Sequence, residues 1–246
     1  MSATDTSTFT GPPPPPKVNH VARLLGVFHS PGETFADIAK APTFWLPMLL
    51  LTVLGAATFI AAAQRIGPEQ LVRKEMARFA DRIPPERLQE AVDRSVRFFW
   101  TRYAAVFVVS PIIFLAAAGV ILILANFVFG GSSSFKQMVA VVTHGWLPGG
   151  LSALVGIVVI FLKAPEDIDL QNLIAANLGV IVPSETSKFL HAVATSLDLF
   201  VFWQIFLIAT GVAATAKLSF TKSLIAVLIP WVLLVLIKSA VVAAFT

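Results

Sequence analysis

The chain has 246 residues, 57% of them hydrophobic and only 13% charged, with mean hydropathy +0.82. Soluble domains carry about 25% charged residues, so this composition argues against a soluble domain and names the lipid bilayer as the solvent and first partner. The formal charge of +4 suits anionic headgroups, and the absence of cysteine excludes disulfides, thiolate metal sites and a cysteine nucleophile. The basic residues mostly share one loop with acids, which argues against a nucleic-acid partner.

Residues 1–17 are polar and end in the run Pro12 to Pro16. Five prolines cannot join a helix, so a disordered Pro-rich tail is expected, followed by one membrane domain over 18–246. No apolar run of signal-peptide length occurs in the first 42 residues, and none is expected. From Val18 the pattern turns helical: Val21, Leu24, Leu25 and Phe28 share one apolar face, with His20 and Arg23 off it. Ser30-Pro31-Gly32-Glu33 then reads as a second helix start, with Ser30 as N-cap, Pro31 in the first turn and Glu33 completing a capping box. These two short amphipathic helices belong in the headgroup region or packed on the end of the bundle.

Five uncharged or nearly uncharged stretches are long enough to cross the hydrocarbon: 43–63, 103–129, 137–162, 190–216 and 223–245. The fold class that follows is all-α, a polytopic membrane bundle of five transmembrane helices with amphipathic interfacial helices. Between the first two spans, residues 64–102 hold nine basic residues (Arg65, Arg73, Lys74, Arg78, Arg82, Arg87, Arg94, Arg97, Arg102) against six acids. Apolar residues recur there at helical spacing on both sides of Pro84-Pro85, predicting two amphipathic helices joined at the proline pair. Gly130 to Ser134 is a short flexible turn. In the third span Gly145, Gly149, Ala153 and Gly156 form a small-residue stripe that permits close helix approach, and Pro148 predicts a kink. The apolar run Leu173 to Val182 is too short to cross and reads as an interfacial or re-entrant segment.

The fourth span carries Asp198, where a charge costs roughly 2.5–3.5 kcal/mol on insertion scales. Read as one helix, 190–216 places His191, Thr195, Asp198, Phe202, Ile205 and Ala209 on one stripe facing the bundle. Counting along the antiparallel fourth and fifth spans puts Asp198 and Lys238 at nearly one level, about 8 Å from the midplane, and predicts an ion pair. His144 falls at the opposite level. Asp198, Lys238, His191, His144 and Pro148 are therefore the candidate intramembrane residues. Catalytic motifs are wanting: there is no His-Glu-x-x-His, no phosphate loop with lysine and no glutamate pair. Gly150-Leu151-Ser152 faintly resembles an intramembrane serine motif, but its histidine would have to be His144 or His191. No enzyme, cofactor or metal is expected.

The order of features resembles the Yip (Ypt-interacting protein) domain family. The segments that carry the resemblance are Ser30-Pro31-Gly32-Glu33-Thr34-Phe35-Ala36-Asp37-Ile38 with Pro42, the Gly131 to Phe135 turn, and His144-Gly145-Trp146-Leu147-Pro148. Leu197 to Trp203 and Pro230-Trp231 complete it. The resemblance covers about residue 20 to the end. It implies a five-span protein with a cytosolic N-terminus, no enzymatic activity, and protein partners or self-association. In eukaryotes the family sits in Golgi and endoplasmic-reticulum membranes and binds Rab-type GTPases; the short tail here looks like a prokaryotic relative, which would sit in the cell (inner) membrane. The alternative is a small transporter or proton-coupled permease component using Asp198. A cytosolic N-terminus places the nine basic residues of 64–102 outside, against the positive-inside tendency. Reporter fusions read this directly: the family arrangement predicts a cytosolic Gly131 turn and an external 64–102 loop, and the reverse pattern would contradict it.

Overall fold

The computed structural model describes residues 19–77, 84–170, 172–183 and 187–245. The expected tail of 1–17, and Arg78 and Arg82 of the basic loop, lie outside the described residues. Helices α1 (His20–His29) and α2 (Pro31–Lys40) form a hairpin ahead of the first span, α3 (Trp45–Ile66). Next come α4 (Pro68–Ala77), α5 (Pro85–Arg97) and α6 (Phe99–Ala104), then α7 (Val106–Ile123), which closes with a π-helical turn, Leu124–Val128. Then α8 (Phe135–Gly145) and α9 (Leu147–Leu162), and α10 (Lys188–Ser196) and α11 (Leu199–Ala216), form two interrupted columns, and α12 (Phe220–Phe245) ends the chain. Among the described residues five helical stretches are long and apolar enough to cross a membrane: Trp45–Ile66, Phe99–Val128, Phe135–Leu162, Leu199–Ala216 and Phe220–Phe245.

The bundle closes where small residues let backbones meet. A Cβ at Gly145 would collide with Ile208, and one at Gly211 would lie 2.6 Å from Val141 and 2.8 Å from Phe35. Gly149 takes the Gln204 amide, Gly150 takes Leu51, and Gly156 takes Leu173. The glycine stripe is therefore consumed inside the molecule. The Gly130–Ser134 turn, expected to be flexible, is pinned. Asn126 accepts from the Ser133 amide at 3.0 Å and donates to its carbonyl at 2.8 Å, and Ser132 N donates to Ala216 O. Ser134 and Gln137 then form a capping box for α8.

The α1–α2 hairpin packs on α8 and α11 with Val27, Phe35 and Ile38 fully buried, and Phe28 meets Trp203 edge-on at 5.4 Å. The buried face is rotated from the one periodicity selects, keeping Leu24 and Phe28 against the core. Val21 and Leu25 point away from the protein, while Arg23 is only 3% exposed. The helix start at Ser30 also differs from expectation. Its side chain makes no cap bond; Pro31 opens the helix, and Thr34 Oγ1 donates to the Ser30 carbonyl at 2.9 Å.

Arg23 explains the altered face. Its Nε donates to Asp37 Oδ2 at 2.7 Å and its Nη2 to the Asp37 carbonyl at 3.2 Å. Nη1 donates to the Ala41 carbonyl at 2.7 Å and to Thr43 Oγ1 at 3.0 Å. One planar fork thus satisfies the Ala41 carbonyl just past the end of α2, adds a second donor to the Asp37 carbonyl and fixes the entry to α3. Gln137 Nε2 donates to the Ala39 carbonyl at 2.8 Å, tying α8 to the same turn. At the other end, a second core of Ala62, Ile66, Val72, Val92, Phe99 and Ile160 joins α4–α6 to α3 and α9. There Lys74 Nζ donates to the carbonyls of Pro165, Glu166 and Ile168 at 3.1–3.2 Å, so this cation is spent on a turn.

Arg23→Ala removes all four of these bonds, one of them charge-assisted, and is expected to lower stability by about 2–3 kcal/mol. Arg23→Lys should restore little, because an ammonium cannot span the fork. Thermal unfolding of the detergent-solubilised protein measures both; a loss below about 0.5 kcal/mol for the alanine variant would contradict the clamp.

Candidate functional site

The expected fourth span is not one helix. Residues 188–216 break at Leu197 (φ −87°, ψ 77°) and Asp198 (φ −113°, ψ 142°), separating α10 from α11. Asp198 Oδ1 accepts from the amides of Phe200 at 2.8 Å and Val201 at 3.3 Å. A short carboxylate is a preferred N-cap, and here it satisfies donors that lipid could not. Local chemistry thus overrides the apolar pattern that reads as continuous. Ser196 and Asp198 both offer side-chain alternatives to helical backbone bonding.

The break is filled by the segment after α9. Residues 165–167 form a 3₁₀ turn, and the chain then dips back between helices through Leu173, whose side chain lies against Gly156. Ala175 takes a left-handed φ of +53°. Asn177 pairs with Asp198 as an isolated antiparallel bridge, in which Leu178 N donates to Leu197 O at 3.2 Å and Leu199 N donates to Ala176 O at 3.1 Å. Asn177 Nδ2 donates to Asn172 Oδ1 at 3.0 Å, and Asn177 Oδ1 accepts from Gly179 N at 2.9 Å. The run Leu173 to Val182, expected to be interfacial or re-entrant, folds back against the bundle and pairs with the break between α10 and α11.

Beside the break lies a cavity of about 260 Å³ lined by Thr58, Ser152, Gly156, Asn172, Asn177 and Asp198 among others. Thr58 is eight residues short of the end of α3 and Gly156 six short of the end of α9. At 1.5 Å per residue the cavity sits about 9–12 Å inside those helix ends. Its lining combines a carboxylate, two amides and two hydroxyls with small residues that leave space.

The other candidates separate from it. Lys238 Nζ donates to Ser196 Oγ at 3.1 Å rather than to Asp198, so the expected ion pair is replaced by a cap and a hydroxyl contact. The reason is the break, which turns Asp198 toward the start of α11. His191 Nδ1 lies 2.6 Å from the Val182 carbonyl and anchors the end of the re-entrant segment. His144 is buried, with Nδ1 2.8 Å from Ala140 O; its neighbour Gly145 meets Ile208, about 15 Å along α11 from Asp198. Pro148 lies in the first turn of α9, and the interruption falls just before it, at Trp146. The single stripe from His191 to Ala209 dissolves at the same break: Phe202 is exposed, while Ile205 and Ala209 are buried. Ser152 lines the cavity, but no histidine does. Among the described residues no group of three His, Cys, Asp or Glu could hold a metal. Sequence reasoning missed Asn172, Asn177 and Gln204; amides inside apolar runs were the available signal.

A family model described as the Yip1 domain matches residues 25–241, nearly the whole chain. No curated protein matches the chain, and no solved structure does.

Asparagine caps helices about as well as aspartate. Asp198→Asn is therefore expected to leave stability within about 0.5 kcal/mol of the parent, while Asp198→Ala loses about 1 kcal/mol. Thermal unfolding in detergent decides; equal damage from both would restore the ion-pair reading.

Proposed function

The chain belongs to the Yip1 domain family, and on that premise we propose that this multi-pass membrane protein is a non-enzymatic, membrane-organising adaptor that recruits protein partners. The observation that supports it most is the α1–α2 hairpin. Ten-residue amphipathic helices ahead of the first span are closed on each other by Arg23 and held on the bundle by Val27, Phe35, Ile38 and the Gln137 bond, so their outer face has a fixed place. On its outer face α1 presents Val21 and Leu25, 61% and 60% exposed, one helical turn apart. A rigid apolar pair beside a polar, Pro-rich tail is a small docking element for a partner helix or groove. The membrane is the cell membrane in a prokaryote, and that of the Golgi or endoplasmic reticulum in a eukaryote.

A second reading has its own support. Non-helical backbone at membrane depth is tolerated where it is buried in protein or lines a water-filled cavity, and broken helices mark the sites of many transporters. The Asp198 break with its polar cavity fits a small proton- or solute-coupled permease component.

A photoreactive side chain placed at Val21 or Leu25 in native membranes is expected to give discrete protein adducts, absent when it is placed at Leu49 on α3. Vesicles holding a pH-sensitive dye are expected to show no flux above protein-free controls. Adducts with lipid only, together with flux lost on Asp198→Asn, would replace the adaptor by the transporter.

A further inference from the structure

Two cavities meet in the middle of the bundle. One, about 380 Å³, lies between α3, α7 and α9 and includes Gly55, Ser110, Ile113, Trp146, Gly149 and Gln204 in its lining. The other, about 500 Å³, lies between α7, α11 and α12 and is bounded by Ala117, Val120, Val201, Gln204, Trp231 and Leu234 among others. Ile113, Trp146 and Gln204 belong to both. The rim of the larger one is lipid-facing, since Val120, Leu233 and Leu234 are 46%, 53% and 66% exposed. Access is therefore sideways, from the acyl chains.

Three polar groups face this space without partners. The Gln204 amide, the Ser110 hydroxyl and the Trp146 indole N–H make no side-chain hydrogen bond among the described residues. The Gln204 amide instead sits against Gly149, where a Cβ would come within 2.7 Å of its nitrogen. An unpaired amide in an apolar setting is costly, and a pocket with a few convergent polar groups in an apolar wall is the usual form of a ligand site. Among the described residues no charged side chain lines either cavity, so a phosphate or ammonium headgroup would be buried without a counterion.

We propose that the Gln204 cavity binds one uncharged lipid, an isoprenoid or long-chain molecule whose hydroxyl or carbonyl oxygen bonds to Gln204 while its chain fills the space between α7 and α12. The larger volume lies in the range of small-ligand sites, and dry apolar cavities take up apolar guests. The bonding oxygen distinguishes this guest from an ordinary acyl tail, which would leave the amide unpaired.

The test uses the full-length protein in phosphatidylcholine vesicles containing hexadecanol with a mid-chain diazirine. Adducts are expected on α7, α11 and α12 around the cavity, and excess unlabelled hexadecanol should suppress them. Gln204→Leu, which keeps the bulk and removes the amide, is expected to weaken labelling about fivefold to tenfold, the weight of one hydrogen bond. Ala117→Phe fills the space from a different helix and should abolish labelling, a second reading should Gln204→Leu fail to fold. The proposal is overturned if adducts spread evenly over outward residues such as Leu49 and Val53. It is equally overturned if diazirine-bearing phosphatidylcholine labels the cavity as strongly as the alcohol, or if Gln204→Leu labels like the parent.

Discussion

Within hydrocarbon every peptide N–H and C=O has to find its partner inside the protein. That constraint shapes the column formed by α10 and α11. At Leu197 the helix stops, freeing a carbonyl and several amides at depth. The Asp198 carboxylate takes the amides of Phe200 and Val201, and the re-entrant segment supplies Leu178 N and Ala176 O as a two-bond patch. The loop after α9 is drawn into the membrane region because the break requires it, and the break is tolerable because the loop is there. The polar cavity beside them follows, since two non-helical strands meeting glycine-rich α9 cannot fill space as a straight helix would.

The same economy operates at the opposite end. The end of α2 leaves the Ala39 and Ala41 carbonyls open, and Gln137 and Arg23 answer them. A guanidinium with four acceptors holds its charge out of water at tolerable cost, which a lone buried cation could not. Close approach does the rest: Gly211 admits Phe35, and Gly145 admits Ile208. Between these two ends lie the cavities beside Gln204.

Much of this architecture could be read from composition and run length. The spans expected at 43–63, 103–129, 137–162 and 223–245 fall within a few residues of the helical stretches, because twenty apolar residues have few alternatives in a bilayer. Helices also appear on both sides of residues 78–83, as α4 and as α5, which opens at Pro85 of the proline pair; the join itself lies outside the described residues. Asp198 drew notice for its charge, but its role did not follow. Periodicity treats 190–216 as one helix, and only the tertiary pairing with Asn177 shows the interruption. Arg23 failed differently. Its polarity assigned it to the outer face, yet the acceptors that bury it come from α2 and the α3 entry, 14 to 20 residues away. Gln204 looked like one polar residue in an apolar span, and its isolation is visible only with α7, α9 and α12 around it.

The central claim is that the penultimate membrane column is broken and sealed by the re-entrant segment, and it has a direct test in a chain without cysteine. Residues 177 and 198 face each other as a non-hydrogen-bonded antiparallel pair, a geometry with Cα atoms about 4.5 Å apart, within disulfide reach. The Asn177→Cys/Asp198→Cys double variant, oxidised mildly in membranes and digested, is predicted to yield one peptide linking the two segments. Two free thiols, both open to alkylation after oxidation, would contradict the account.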